Sequence, residues 1–273
     1  MTGNAFETLS VQSADGVVLA ILNRPERMNA MTNTMFAELE QLAASVDDDR
    51  QNRVLILTGA GAGFCAGYDL ADADDLPGMG ALGMLAQQER AARAMLAIRS
   101  VRVPVIAAVN GPAAGGGFAL ALAADIRIAG PAARFNAAFV RIGLSAGDLG
   151  TSWLLTRLVG PAVTSEICFT GRLVAAQEAH HLGVVNELAD DPVARAHELA
   201  AAIRANAPGG VEMSKRALQA NLEVSSYAAA LELENRGQAL LTRTADVAEA
   251  IAALKEQRTP VYTGERPDGY HQP

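Results

Sequence analysis

Apolar and polar positions alternate in a way that divides the chain into strands and helices following one another in turn. Val17-Val18-Leu19-Ala20-Ile21-Leu22 is apolar and partly β-branched, which predicts a buried strand over 17–22. Turn chemistry around Pro25 follows over 23–29. Thr32 can cap a helix in which Met35, Phe36, Leu39, Leu42, Ala43 and Val46 recur at helical spacing, and Asp47-Asp48-Asp49 closes it. Val54-Leu55-Ile56-Leu57 predicts the next buried strand. A helix over 89–99, a strand over 105–109, a helix over 118–124 and a strand at Ile126-Arg127-Ile128 come after it. Such alternation argues for an α/β architecture with at least partly parallel pairing.

Past Pro208-Gly209-Gly210 the pattern turns helical throughout, over 211–222, 227–242 and 247–257. The last run opens on a capping-box signature, Asp246 with Glu249, and Pro260 ends it. The expected organisation is an α/β core over 1–207 and a helical region over 208–273. A tail of that size cannot bury its own apolar faces, so it needs the core or a neighbouring subunit.

Composition narrows the function classes. Half of the 273 residues are hydrophobic and 19% are charged, which suits a folded globular chain. The net charge of −8 and the lack of a basic cluster leave no means of neutralising phosphates along a nucleic acid. The opening MTGNAFETLS is polar and has no signal-peptide pattern, and the greasiest stretch, 109–124, is too short and glycine-broken to span a bilayer, which takes about 20 apolar residues. Cys65 and Cys168 stand far apart without zinc or disulfide spacing. A cytoplasmic protein with no membrane partner is expected.

Candidate chemistry lies in two glycine-rich loops, each following a buried strand. One ends Phe64-Cys65-Ala66-Gly67-Tyr68-Asp69-Leu70. The other is Asn110-Gly111-Pro112-Ala113-Ala114-Gly115-Gly116-Gly117-Phe118. Glycines admit a ligand close to the backbone, and a helix beginning at Gly116-Gly117 offers N–H groups with a favourable dipole. Face to face, the loops would make a two-donor oxyanion hole; alone, each could equally serve tight strand–helix packing.

Together and in this order, the loops resemble the crotonase (enoyl-CoA hydratase/isomerase) family. So do Leu22-Asn23-Arg24-Pro25-Glu26-Arg27-Met28-Asn29, Ala124-Asp125-Ile126-Arg127-Ile128, the segment 143–160, Thr170-Gly171-Arg172 and the segment 257–264. The resemblance implies a spiral core of ββα repeats, a C-terminal helical trimerisation region giving a homotrimer or hexamer, and an acyl-CoA substrate. Coenzyme A would then be part of the substrate, with no further cofactor and no metal. It carries the oxyanion donors to the backbone N–H groups of Tyr68 and Gly116, and the CoA-lining positions to Glu26, Arg27, Met28, Ala66, Asp69 and Leu70. For Arg27 a solvated surface arginine is the competing reading.

The departures from the family pattern bear on the reaction. Where family hydratases carry two glutamates, this chain has Ala119 and Phe139, and apolar side chains transfer no protons. The remaining candidate acid or base is Asp148, placed as in single-carboxylate branches of the family, with Gly147 reading as an extra residue beside it; alternatively Asp148 N-caps the following helix. Hydration of a 2-enoyl-CoA stands first because it is the commoner activity in the family. A single carboxylate fits an enoyl-CoA or dienoyl-CoA isomerase more simply, and a thioester hydrolase or a non-catalytic acyl-CoA binder are further alternatives.

The segment 71–83, with its glycines and Asp72, Asp74 and Asp75, reads as a flexible flap over the acyl chain, and Tyr68 and Trp153 as residues shaping the pocket, although a tryptophan on a helix more often serves the core. Two rival motifs are weaker. Gly143-Leu144-Ser145-Ala146-Gly147 imitates a nucleophile elbow without a strong strand before it, and His180, His181, His197 and His271 read as surface or helix-end residues. Gly61-Ala62-Gly63-Phe64-Cys65-Ala66 imitates a dinucleotide fingerprint, but the residues after it turn acidic.

Overall fold

The structure, a computed structural model, describes residues 6–69 and 78–264. Its main sheet begins with a hairpin, β1 (Leu9–Ala14) and β2 (Val17–Leu22), joined at Asp15-Gly16. Both turn residues have positive φ, 50° and 73°, the backbone of the Asp-Gly turn that matches strand twist. From β2 onward the pairing is parallel, through β3 (Val54–Gly59), β4 (Val105–Val109), β6 (Ile126–Ala129) and β9 (Glu187–Leu188), giving the order β1-β2-β3-β4-β6-β9. Every residue of β3 and β4 is buried, as expected of strands covered on both faces. A second sheet, β5 (Ala113–Ala114), β7 (Arg134–Asn136) and β8 (Leu173–Ala175), uses strands too short for a periodic signal.

Helices cover these sheets. Thr32 caps α1 (Asn33–Asp48), its side chain accepting from the Met35 N–H at 3.1 Å, and the apolar positions read from the sequence are all buried. The next helix, α2 (Gly80–Ser100), begins nine residues before the expected 89. Residues 80–83, expected in a flap, form its first turn; the rest of that segment from 71 to 77 lies outside the described residues. Met84, Gln87, Gln88 and Ala91 recur at helical spacing on one face of α2, which is what carries the helix through a glycine-containing start. The short α3 (Gly116–Ala123) is wholly buried. Next comes α4 (Thr151–Thr170), really two helices that meet at Gly160 (φ 77°, ψ 167°), with Pro161 beginning the second where no amide hydrogen is needed. The remaining helices are α5 (Ala176–His181), α6 (Pro192–Arg204), α7 (Pro208–Asn221), α8 (Tyr227–Leu241) and α9 (Ala245–Glu256).

The chain forms two compact units, one of residues up to Val101 with Val105–Glu198, the other of Arg102–Pro104 with the residues from Leu199 onward. In the second, Lys215 Nζ on α7 donates to Val103 O at 2.8 Å, and Gly237 on α8 lets Met213 approach closely. The expected capping box is absent. Thr244 takes the N-cap of α9, and Asp246 instead accepts the N–H groups of Thr263 (3.0 Å) and Gly264 (3.2 Å), while Glu249 pairs with Arg258. Those late N–H groups have no helical partner, and a buried carboxylate satisfies two of them at once.

Candidate active site

Three segments of the first unit are laced together by backbone hydrogen bonds. The loop after β3 meets the loop after β4: the Phe64 and Cys65 N–H groups donate to Pro112 O (3.1 Å each), and the Ala114 N–H returns to Cys65 O (3.0 Å). The turn after β2 joins from the other side, with Met31 N–H to Gly67 O (2.7 Å), Asp69 N–H to Met31 O (2.9 Å) and Ala66 N–H to Met28 O (3.0 Å). Because the residues flanking Tyr68 spend their groups on Met31, strand alternation directs the Tyr68 N–H to the opposite side, away from Met31.

Gly116 lies against Gly67 and lines the same cavity as Tyr68. It is the first residue of α3, so its N–H has no intrahelical acceptor. A β-carbon built on Gly67 would stand 2.9 Å from Ala114 O and 3.5 Å from Gly116 N; one on Gly117 would collide with Cys65 O at 2.1 Å. The glycines are therefore what allows the two loops to touch.

Side chains fix the same frame. Asn29 is fully buried with φ 56°; its amide donates to Ala60 O and Gly63 O (2.9 Å each) and accepts from the Arg24 N–H. Arg24 Nη1 donates to Ala30 O (2.6 Å) and to the Asp69 carboxylate (2.7 Å). Asp69 is thus held by Arg24, tying the turn to the first loop.

These segments, with α1, α2 and the stretch 138–149, enclose a cavity of about 530 Å³, a size typical of small-ligand sites. Tyr68, Gly116 and Asp148 all line it, as do Glu26, Arg27, Met28, Ala66 and Asp69; Leu70 lies outside the described residues. Glu26, Arg27 and Met28 are exposed on the turn. Among the described residues Arg27 meets no carboxylate. The Phe139 ring also faces the cavity, 3.7 Å from where a Gly115 β-carbon would stand, whereas Ala119 is buried away from it.

Asp148 does not cap the helix after it. Gly150 holds the N-cap of α4 with no side-chain hydrogen bond, and Leu149 adopts φ 49°, a left-handed conformation costly for a leucine. That turn leaves the Asp148 side chain on the cavity wall and sets Leu149 Cδ1 3.4 Å from a Gly116 β-carbon position. Partial burial pushes the Asp148 carboxyl above the usual aspartate range, with a hydrogen bond from the Leu149 N–H pulling the other way.

Other expectations resolve against the geometry. Trp153 does not reach the cavity: its indole is covered by the guanidinium groups of Arg157, at 3.5 Å, and Arg99, at 5.5 Å. Ser145 Oγ accepts from the Gly147 N–H (3.0 Å), a turn of 138–142 and not a strand precedes it, and among the described residues no histidine lines the cavity. The fingerprint-like glycines after β3 lead into an extended bridge, not a helix. No group of acidic, histidine and cysteine side chains able to hold a metal is found among the described residues.

Residues that sequence reasoning missed are Phe36, Gln87 and Asn33. Phe36 stacks on Tyr68 (centroids 6.1 Å apart, planes 8°), and Gln87 Nε2 donates to Asn33 Oδ1 (2.6 Å) and Tyr68 Oη (3.1 Å). Gln87 stood just before the expected helix start, so no periodicity marked it.

A model of the enoyl-CoA hydratase/isomerase family matches residues 12–265. The chain is 42% identical over 249 residues to the probable enoyl-CoA hydratase EchA12 of Mycobacterium tuberculosis, covering 89% of this chain and 87% of that one. It is 37% identical over 252 residues to the 1,2-epoxyphenylacetyl-CoA isomerase of Escherichia coli, covering 91% and 95%. The crystal structure of an enoyl-CoA hydratase from Bacillus anthracis superimposes with a TM-score of 0.89 at 33% identity, over 95% of this chain and all of that one. The chain belongs to the enoyl-CoA hydratase/isomerase family and has its crotonase fold.

Proposed function

We propose that this chain shifts a double bond in an enoyl-CoA thioester, using Asp148 as the one group that moves the proton. The thioester oxygen lies between the Tyr68 and Gly116 N–H groups, so charge developing on it in the enolate is stabilised and the α-carbon is acidified. Asp148, as carboxylate, takes a proton from one carbon and, as carboxylic acid, returns it at another. Arg27 and Met28 at the mouth meet the coenzyme A portion.

The observation that carries this reading is the replacement of a second carboxylate by Phe139 on a wall shared with Asp148. Adding water takes a group to activate the water and a group to protonate carbon, and the apolar ring supplies neither. Hydration remains the second reading, favoured by the names of relatives such as EchA12. Incubation with a 3-enoyl-CoA in deuterated water separates them. Recovery of a deuterated 2-enoyl-CoA supports the isomerase, and a hydroxyacyl-CoA as the first product from 2-enoyl-CoA supports the hydratase.

The second unit reads as an assembly surface. Leu218 on α7, Leu222 just past its end, Tyr227 and Leu240 on α8 and Leu254 on α9 are exposed, apolar side chains of the kind a partner subunit covers. A homotrimer or hexamer is the proposed form, and sedimentation equilibrium measures it.

A further inference from the structure

The α2 wall of the cavity holds a polar group that the proposed reaction does not use. Gln87 projects from α2 and is only 7% exposed. Both hydrogens of its amide are committed, one to Asn33 Oδ1 and one to Tyr68 Oη, and these bonds fix which way the amide faces. The carbonyl oxygen Oε1 is left on the other side. Among the described residues no donor reaches it, yet it is not sealed from accessible space, and its side chain lines the cavity. Its neighbours there, Phe36, Met84 and Ala91, are apolar.

A hydrocarbon chain lying along this wall would strip water from Oε1 and give nothing back. Burying an acceptor without a partner is costly, and buried polar groups are paired as a rule. Were the acyl group plain alkyl, a leucine at position 87 would fill the wall without that cost. We infer that Gln87 selects acyl-CoA thioesters whose acyl group carries a hydroxyl, or another hydrogen-bond donor, beyond the reacting carbons, and that Oε1 accepts its hydrogen bond. This rests on the acyl-CoA reading of the cavity and adds the class of acyl group to it.

Binding tests the inference without depending on turnover. Saturated acyl-CoAs of about four to ten carbons, each as the parent chain and with a terminal hydroxyl, are titrated into the full-length protein by calorimetry. At one chain length the hydroxylated thioester should bind about tenfold more tightly than its parent, and Gln87→Leu should bring that ratio close to one. If wild type shows no preference at any length, or the preference survives in Gln87→Leu, the assignment of Gln87 is overturned while the acyl-CoA site stands. If no thioester binds at all, the acyl-CoA reading itself falls.

Discussion

Gly67 and Gly116 stand so close that a β-carbon on Gly116 would lie 3.9 Å from the Gly67 α-carbon. At Gly67 nothing larger than hydrogen fits, because a β-carbon there would stand 2.9 Å from Ala114 O at a φ of 97°, whereas at Gly116 it would meet flexible side-chain ends and the Gly67 α-carbon at ordinary contact distance. The contact brings a helix start beside a strand-like segment, and under the proposed mechanism the N–H groups of Tyr68 and Gly116 act there as a donor pair. A donor pair of this kind does not need to reorganise as charge develops, which is why it can contribute so much to a rate.

Replacing Gly116 by proline deletes one donor while keeping α3, because the first helical position tolerates proline. A β-carbon there meets only the flexible ends of Met31 and Leu149. The expected outcome is a loss in kcat of about 10²–10³-fold with thioester binding changed far less. Steady-state kinetics beside a circular dichroism melt check both halves.

Gly67→Ala acts on the same crossing from the other loop. Its φ of 97° strains any side chain, and the new methyl would stand 2.9 Å from Ala114 O. A destabilisation of about 1–3 kcal/mol is expected in urea, together with a fall in kcat as the loops part.

The pair Arg24–Asp69 holds the turn against the first loop. Arg24→Ala removes the ion pair from the buried Asp69 carboxylate and should cost about 3 kcal/mol. The double replacement Arg24→Met with Asp69→Leu should recover much of that loss, since two apolar side chains leave no charge buried. A double-mutant cycle in urea measures the difference.

Asp148 links stability to pH in a definite direction. Its carboxyl is pushed up in the folded state, so the native protein binds that proton more tightly than the unfolded chain. The stabilising contribution is full below the unfolded value and is lost as pH rises through the folded one. Asp148→Asn should therefore melt higher than wild type at neutral pH, with the gap closing as the pH falls towards the ordinary aspartate range. The acid limb of kcat/KM in wild type should lie above that range as well, because catalysis starts from the carboxylate.

Legibility in the sequence followed the physical strength of each signal. The strands at 54–57 and 105–109 were readable because strands buried on both faces are continuously apolar. The two glycine loops were readable because close backbone approach leaves glycine no substitute at positions such as 67 and 117. The start of α2 was not, since Gly78, Gly80 and Gly83 suggested a loop, while the face that holds the helix, Met84 to Ala91, serves a cavity the sequence does not display. For Trp153 the sequence offers both a pocket and a core reading, and neither shows the two arginines that cover its indole. Gln87 carried no local mark, because its meaning comes from Asn33 on α1 and Tyr68 in a loop. Asp148 was legible as a candidate acid or base, while the left-handed Leu149 that leaves it on the cavity wall is invisible to pattern reading.

The most direct test of the account compares wild type with Asp148→Asn on 2-enoyl- and 3-enoyl-CoA in deuterated water, following products by mass spectrometry. Wild type should interconvert the two thioesters with deuterium entering the acyl chain, and the variant should bind both but lose at least ~10²-fold in rate, the scale of a missing general acid–base group. An Asp148→Asn protein that isomerises at the wild-type rate, or a wild type whose only product carries added water, would contradict the proposed mechanism.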